Sequence, residues 1–387
     1  MCHTLCMAAR RIPITGSVLA WAMAEASVTA REVADHLNVP EATVRAWQDE
    51  RAMPNKGQLD KLARFLARPA SFFFLARPPE SKFPTALLRR ASGSDKDWRA
   101  PSRRDRAAIR SAQNAQEVSR WVAGQTKRSA IDLPSAALTD APDDFAGRLR
   151  SWLGWRTSEQ IELRDDEVAR ALRAHIEEHG ILTVNFTLAD ERYRGFCLPD
   201  PVSPLIAINT RDDVRARSLS YVHELAHLCL GVESLCTDEA DSRTERWCER
   251  VAGCFLLPDA ELRRFVADVL GVGTVREVDD VRRLADHFNI SNRAAAVRLS
   301  QVGLAGSRLY SIVNAQTAAK SRKSERNGVV QTRARRRLQR YGRTYVTQLL
   351  SAAESGALSD LDVLEYLNVS RRELAEVRAI AFDKADL

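Results

Sequence analysis

The pattern that most constrains this chain is His-Glu-x-x-His at His223, Glu224 and His227, which lies inside a run of helical periodicity. The apolar positions of that run are spaced as on one helix, and they are Leu219, Val222, Ala226 and Leu230. Gly231 then provides a helix stop. Residues i and i+4 lie one above the other on a helix, so the two imidazoles can clamp one metal ion. A catalytic metal site also needs a third protein ligand, which a second element must bring against this helix.

A later helical pattern offers that third ligand. The segment DSRTERWCERVAGCFLLP carries Glu245, and a proline ends it. Its predicted buried side consists of Val251, Ala252, Phe255 and Leu256. Glu249 lies one turn beyond Glu245 on the same face, where it could accept the outward N–H of a metal-bound histidine. Taken alone, the two glutamates also fit a solvated acidic face beside Arg246 and Arg250.

Glu224 follows the first histidine and is displaced from the ligand direction, which suits a general base. Zinc lowers the pKa of a bound water to about 7, and the carboxylate could take its proton as the oxygen attacks a peptide carbonyl. We expect one Zn²⁺ per chain, with another divalent metal as the alternative. A purely structural histidine pair is the non-catalytic alternative. Cys229 and Cys236 lie nearby, and we interpret them as small buried residues rather than as soft ligands or a redox switch.

Residues of about 165 to 260 resemble the ImmA/IrrE family of metallopeptidases. The family combines His-Glu-x-x-His with a downstream helix of the form Glu-x-x-Ala-Asn-x-Phe-Ala-x-x-Leu-Leu-x-Pro. The positions in or near that pattern are Glu245, Ala252, Phe255, Leu256, Leu257 and Pro258. The departures are Cys248 for Ala, Glu249 for Asn and Val251 for Phe. The resemblance implies His223, His227 and Glu245 as metal ligands and Glu224 as the base.

The N-terminal region alternates short helices with sharp turns. Predicted helices cover 18–26, 30–37, 41–50 and 57–66, and Thr29 with Glu32 predicts a capping box. The second and third helices are joined by three residues, and their apolar seam consists of Ala34, Leu37, Val44 and Trp47. This arrangement predicts a helix-turn-helix. The outward residues of its reading helix, able to reach base edges or phosphates, are Glu41, Thr43, Arg45 and Gln48.

From spacing alone, a small helical bundle that serves protein contacts is the alternative. The stretch from Val18 to the segment ASFFFLARPP resembles the phage-repressor-like (XRE) helix-turn-helix, including the tryptophan at the reading helix. It departs at residues 50–52, Glu-Arg-Ala, where that family usually has a glycine-containing turn. The resemblance implies double-stranded DNA as a partner of this domain.

A chain of 387 residues exceeds one hydrophobic core, so we predict a mostly α, multidomain fold. It comprises an N-terminal helix-turn-helix bundle, an α+β zincin-like peptidase core with a short sheet, and C-terminal helical regions. Strands are predicted at 181–186, 194–199 and 204–210. The predicted domains are an XRE-type DNA-binding domain at 14–80, a basic helical connector at 81–135, a metallopeptidase core at 136–262, a supporting helical bundle at 263–312, a basic linker at 313–340 and a C-terminal helical unit at 341–387.

Charge and cysteine usage indicate which partners and which cellular compartment to expect. Lys and Arg total 58 against 51 acidic residues, and this mild excess favours an anionic partner. It gathers at 82–128, where we expect a solvated face with direct DNA contact as the alternative, and at 320–343, where we expect a flexible linker or an arm ordered by an anionic partner. Seven cysteines without a CxxC framework indicate a reducing cytoplasm. The apolar stretch 12–26 is interrupted by Glu25, so we expect neither a secretory signal nor a membrane partner.

These observations predict a DNA-binding regulatory zinc metalloendopeptidase that cuts a protein partner such as a repressor or regulator. The alternative is a transcriptional repressor or antitoxin that binds DNA and a toxin-like partner, with the metal domain as a scaffold or sensor. The helix pair at 281–299 is predicted to support the core, with a second nucleic-acid surface as its alternative. A homodimer is left open.

Overall fold

The computed structural model describes residues 11–26, 28–66, 68, 70–78, 89–90, 103–187, 193–231, 238–321 and 331–382. The chain divides into two compact units, one of Met1–Thr85 with Arg99–Arg110 and one of Ala86–Trp98 with Ser111–Leu387. Helices predominate in the described residues and accompany one small sheet, which confirms the predicted α-rich, multidomain class. No helix among these residues has both the length and the apolar character to cross a membrane.

The first unit is built from short helices around one apolar core. Its helices are α1 (Gly16–Glu25), α2 (Ala30–Leu37), α3 (Glu41–Gln48) and α4 (Lys56–Phe65), followed by a 3₁₀ turn at Ala70–Phe74. Thr29 and Glu32 form the predicted capping box at the start of α2. Asn38 ends α2 in the left-handed conformation. The predicted seam is buried, and Trp47 is fully enclosed.

The second unit surrounds the small sheet with helices. The helix α5 (Arg103–Gln125) begins in the first unit and ends in the second. Three helices precede the main strands, namely α6 (Pro142–Leu153), α7 (Thr157–Glu162) and α8 (Asp165–Glu178). Those after the sheet are α9 (Val214–Leu230), α10 (Asp238–Leu256), α11 (Asp259–Arg264), α12 (Val278–His287), α13 (Asn292–Gln301), α14 (Ser307–Ser321), α15 (Arg333–Glu354), α16 (Asp360–Leu367) and α17 (Arg371–Phe382).

The sheet has the strand order β1-β3-β4-β2. Its strands are β1 (Arg89–Arg90), β2 (Leu182–Phe186), β3 (Tyr193–Leu198) and β4 (Leu205–Asn209). β2 runs parallel to β4, whereas β3 is antiparallel to both β4 and β1. All five residues of β4 are buried because this strand lies inside the sheet and α9 covers one face. α9 therefore packs on one face of the sheet, against β3 and β4.

Part of the segment predicted as the basic linker 313–340 is helical. α14 extends into it from one side, and α15 begins at Arg333, where the Thr332 hydroxyl accepts a hydrogen bond from Arg335 N at 3.3 Å. α15 is kinked at Gly342, whose φ is 76°. At the kink, the Glu177 carboxylate of α8 accepts a hydrogen bond from Arg343 N at 2.7 Å. This tertiary contact holds α15 against α8 within the second unit.

Candidate metal centre

α9 places the His-Glu-x-x-His residues inside the second unit. Asp213 caps its start by accepting a hydrogen bond from Arg215 N at 2.9 Å, and Gly231 ends it with a φ of 60°. His223, Glu224 and His227 are all buried. The Nε2 atoms of the two histidines face each other at 3.1 Å, as expected for residues one helical turn apart. Two imidazole nitrogens thus converge on one point.

α10 brings a carboxylate to the same point. Trp247 of α10 donates a hydrogen bond from its indole Nε1 to Asp140 O at 2.9 Å, and the apolar side of α10 packs into the main core. Glu245 then lies with Oε2 at 3.1 Å from His223 Nε2 and Oε1 at 3.2 Å from His227 Nε2. The structure therefore brings together the three residues predicted as metal ligands.

The electrostatics of Glu245 favour a charged ligand. Burial alone would raise the pKa of this carboxyl group, but its contacts with His223 and His227 outweigh burial and hold the pKa well below its usual range. Glu245 is therefore ionised at neutral pH. A carboxylate with two imidazoles is a donor set that suits zinc and related divalent ions.

The spacing of the donor atoms also fits a metal ion. Zinc bonds of about 2.0 to 2.1 Å in a tetrahedron place donor atoms about 3.3 Å apart. The two Nε2 atoms lie 3.1 Å apart, close to one edge of such a tetrahedron, and each has a Glu245 oxygen nearby, Oε2 at 3.1 Å from His223 and Oε1 at 3.2 Å from His227. Three protein donors leave one tetrahedral position for water or substrate, which is the arrangement of catalytic rather than structural zinc sites.

Glu249 faces the opposite side of the first histidine. Its Oε2 atom lies 3.5 Å from His223 Nδ1, and about a third of the side chain is exposed, at 32%. An acceptor at this position favours the tautomer that carries hydrogen on Nδ1 and leaves Nε2 available to a metal. The position predicted for an orienting carboxylate is thus occupied by one.

Gly195 is a site feature that the sequence analysis missed. A Cβ atom added there would lie 2.8 Å from Ala207 O and 3.1 Å from Glu224 Oε1. β3 can therefore approach the Glu224 carboxylate only because residue 195 lacks a side chain. A glycine within an apolar strand pattern was the available signal, since it marks close approach of another group. The same residue pairs on its other side with Arg89 of β1.

The cysteines around the site are buried thiols. Burial raises the pKa of Cys229 to about 12, so its sulfur is protonated and a poor metal ligand at neutral pH. Burial, followed by the nearby Glu224 and Glu245 charges, raises the pKa of Cys197 well above its ordinary value. Cys229 thus agrees with the interpretation as a small buried residue, whereas Cys236 lies outside the described residues.

A second group with metal-ligand atoms occurs at Asp143, Cys254 and Asp259. Arg298 forms an ion pair with Asp259, and its Nη2 atom lies 3.7 Å from Asp143 Oδ1. Burial raises the pKa of Cys254 to about 12. A guanidinium already supplies positive charge to these carboxylates, so this cluster is an ion-pair network in which Arg298 is buried and the two acids are at least partly exposed.

The residues predicted to contact DNA lie on α3 of the other unit. Arg45 is exposed and forms an ion pair with Glu41 at 2.7 Å, while Thr43 and Gln48 are partly exposed. The apolar side of α3, with Val44 and Trp47, is buried. Glu41, Arg45 and Gln48 therefore share one side of α3, whereas Thr43 is partly exposed at the other edge of the buried stripe. The role of all four residues in DNA binding stays a prediction.

Comparison with known proteins finds a family match for the part of the chain that contains the candidate metal centre. Residues 176–300 match the family model Peptidase_M78, described as the IrrE N-terminal-like domain. This segment contains His223, Glu224, His227, Glu245 and Glu249. A comparison with curated proteins finds no match.

Among solved structures, a Mycobacterium tuberculosis transcriptional regulator is similar at 17% identity with a TM-score of 0.30. The alignment covers 48% of this chain and 51% of that chain. The chain thus spans about half the length of that regulator.

Proposed function

We propose that this protein is a DNA-binding regulatory metallopeptidase that hydrolyses a peptide bond in a protein partner, such as a repressor or another regulator. The observation that carries the proposal is the convergence of His223, His227 and Glu245 beside the fully buried Glu224. The family match over 176–300 supports it, because the matched segment includes all four residues.

The chain's own residues would divide the work as follows. His223 and His227 would bind the ion through Nε2, and the ionised Glu245 would neutralise part of its charge. A bound zinc ion would act as a Lewis acid that polarises the scissile carbonyl group. Glu224 would accept a proton from the attacking water and deliver it to the leaving amine. Glu249 would hold the His223 ring in the binding tautomer.

The regulatory part of the proposal rests on the first unit. Its exposed α3 side carries Arg45 and Gln48, whose side chains can bond to phosphates or base edges of double-stranded DNA. The net charge of +7 favours association with a polyanion. We therefore place operator binding in this unit and proteolysis in the other.

The decisive experiment compares wild-type protein with Glu224→Gln. Each is incubated with purified products of neighbouring genes, and mass spectrometry detects the fragments. Wild type should cleave a partner, whereas Glu224→Gln should retain one metal ion per chain and DNA binding but lose cleavage. Glu261→Gln, which changes a partly exposed acid paired with Arg264, is the matched control and should cleave normally.

Two outcomes would contradict the peptidase proposal. Cleavage by Glu224→Gln at the wild-type rate would remove Glu224 from the chemistry. Tight binding of a partner by both proteins without any cleavage would favour the scaffold or antitoxin function. Arg45→Ala tests the other unit, because it should lose operator binding and keep proteolysis. Unchanged DNA affinity in Arg45→Ala would show that α3 is not the reading helix.

A further inference from the structure

α15 and α17 begin side by side at one end of the second unit. Near their starts, Arg333 Nη2 donates to Asn368 O at 3.4 Å, and Arg333 Nε lies 3.6 Å from Glu373 Oε1. Further along, Arg343 Nη1 donates to Ala381 O at 3.0 Å. The start of α15 therefore contacts the start of α17, and a later part of α15 contacts the last turn of α17. Up to its kink at Gly342, α15 thus runs in the same direction as α17, and the two N-termini lie together.

This shared end is strongly basic. The first turns of the two helices carry the exposed residues Arg333, Arg335, Arg336, Arg371 and Arg372. The Glu373 carboxylate lies in the first turn of α17, where it accepts a hydrogen bond from Ser370 N at 2.7 Å and so caps the helix. Helix N-termini add partial positive charge to that of the arginines. In the described residues 332–336 and 370–374, which form these two first turns, five arginines therefore accompany one carboxylate, that of Glu373.

The sequence around the start of α15 extends the charge. Residues 320–343 contain ten Lys and Arg and one acidic residue, Glu325. Like charges at this density repel each other, and such runs are typical of segments that bind polyanions. Neither the metal centre nor α3 uses these residues. The arginine-rich end is thus a feature that the proposed function leaves unexplained.

The turn before α17 has the same form as two other turns in the chain. Asn38 and Asn368 directly follow α2 and α16, and Asn289 lies two residues after α12; all three are left-handed, with φ values of 55°, 50° and 52°. Each is followed by Val or Ile and then by a helix that begins after Pro or Ser. In each turn the residue after Asn donates its N–H to a carbonyl five residues back, at 3.0 Å.

The helices that follow these turns differ in exposure. α13 buries most of its first two turns, including Ala295, Ala296 and Arg298, so it cannot enter a groove of DNA. α17 buries only Leu374, Val377 and Ala381, and its first two residues, Arg371 and Arg372, are exposed. The turn at Asn368 therefore presents a helix N-terminus to solvent, as helix-turn-helix domains do for the helix that meets DNA.

We propose that the N-terminal ends of α15 and α17 form a second nucleic-acid-binding surface, which holds the phosphate backbone of duplex DNA. Its contacts come from Arg335, Arg336, Arg371 and Arg372. One guanidinium group can donate two parallel hydrogen bonds to the oxygens of a phosphate, and helix N-termini favour phosphate through their free N–H groups. This surface goes beyond the proposed function, which assigns DNA to α3 alone.

The test uses the full chain and a labelled 30-base-pair duplex of arbitrary sequence. One variant replaces four arginines by alanine at Arg335, Arg336, Arg371 and Arg372. The control variant removes the same charge from exposed arginines elsewhere in the unit, at Arg170, Arg276, Arg283 and Arg308. Both are made in protein that also carries Arg45→Ala, so that α3 contributes little. Fluorescence anisotropy measures affinity between 50 and 200 mM KCl.

The surface variant should bind the duplex at least tenfold more weakly than the control. Each lost phosphate contact lowers the slope of log K against log salt by about 0.9, so four contacts should lower it by about 2 to 4. Replacing the same four arginines by lysine should retain most of the slope, because charge is conserved. Recovery of the slope in the lysine variant would show that the alanine variant lost phosphate contacts rather than its fold.

Wild-type-like affinity and slope in the surface variant would overturn the proposal. The proposal would also be overturned if the surface variant binds the duplex normally but loses binding to vesicles with 30% phosphatidylserine or to single-stranded RNA. The test needs neither metal nor cleavage and can be repeated with Glu224→Gln. A failure of the peptidase proposal would therefore leave its result unaffected.

Discussion

Replacing Gly195 by alanine tests whether β3 is shaped around the general base. The added Cβ would lie 2.8 Å from Ala207 O and 3.1 Å from Glu224 Oε1. The carbonyl belongs to β4, which is paired on both sides and cannot shift cheaply. The Glu224 side chain must therefore move away from its position. The ligands His223 and His227 project from the same helix but are not among the three atoms nearest to the new Cβ, the third of which belongs to Ile208.

The magnitude follows from these contacts. Overpacking in a well-packed core costs about 1 to 3 kcal/mol, and loss of glycine from the unfolded chain offsets about 0.5 to 1 kcal/mol of it. Gly195→Ala should therefore lower the free energy of unfolding by about 1 to 2 kcal/mol. A displacement of about 1 Å in a catalytic group can reduce the rate about 100-fold. Because Glu224 must shift by less than this, we expect a roughly tenfold lower kcat.

The assay combines urea unfolding, metal analysis and cleavage rates for the same preparation. Gly195→Ala should keep one metal ion per chain and lose activity. Gly147→Ala is the matched control, because its Cβ meets no atom within 4 Å, and it should keep full activity. Wild-type kcat in folded, metal-loaded Gly195→Ala would refute the close approach of β3 as a determinant of Glu224 geometry.

Three further predictions concern other parts of the second unit. Glu249→Gln removes the charge that faces His223 Nδ1 at 3.5 Å, so metal affinity should fall about 10- to 100-fold in chelator competition. Unchanged affinity would exclude an orienting role. Gly342→Ala places a Cβ against α8 and β2 at a φ of 76°, and urea unfolding should show a loss of about 2 to 4 kcal/mol. Gly356→Ala has the same φ but no atom within 4 Å, so it should cost only about 1 to 2 kcal/mol; equal losses would contradict the packing argument. Burial raises the pKa of Cys229 from 9.0 to about 12, so its contribution to stability is complete below pH 9 and is lost as the pH rises toward 12. The free energy of unfolding should then fall by up to about 1.4 kcal/mol per pH unit above pH 9, and Cys229 should resist alkylation at that pH until urea is added.

Local signals predicted the elements that local chemistry determines. The bounds 30–37 of α2 were predicted as observed, because Thr29 and Glu32 form a capping box and Asn38 stops the helix. The strand predicted at 181–186 is observed at Leu182–Phe186. The convergence of Glu245 on the histidines depends on packing between α9 and α10. Helical periodicity alone left that glutamate on a solvated face, and its role was predicted from the need of the histidine pair for a third ligand and from the family resemblance.

Features that depend on tertiary contacts were not predicted. The approach of Gly195 to Glu224 requires the register of β3 on β4, which the strand pattern alone does not determine. The linker prediction at 313–340 overlooked the start of α15, because a run of arginines fits both a solvated coil and a helix with one buried side. Contacts made far along the chain, such as that between Glu177 and Arg343, decide between these alternatives.

The most direct measurement is the metal content and affinity of purified wild-type protein beside Glu245→Ala. Elemental analysis of the wild type should find one divalent ion per chain, bound by the two imidazoles and the Glu245 carboxylate. Glu245→Ala should lose that ion during dialysis against a weak chelator, while its helical content is unchanged. Equal metal content and equal affinity in the two proteins would contradict the three-ligand site, as would a folded wild type that binds no divalent ion.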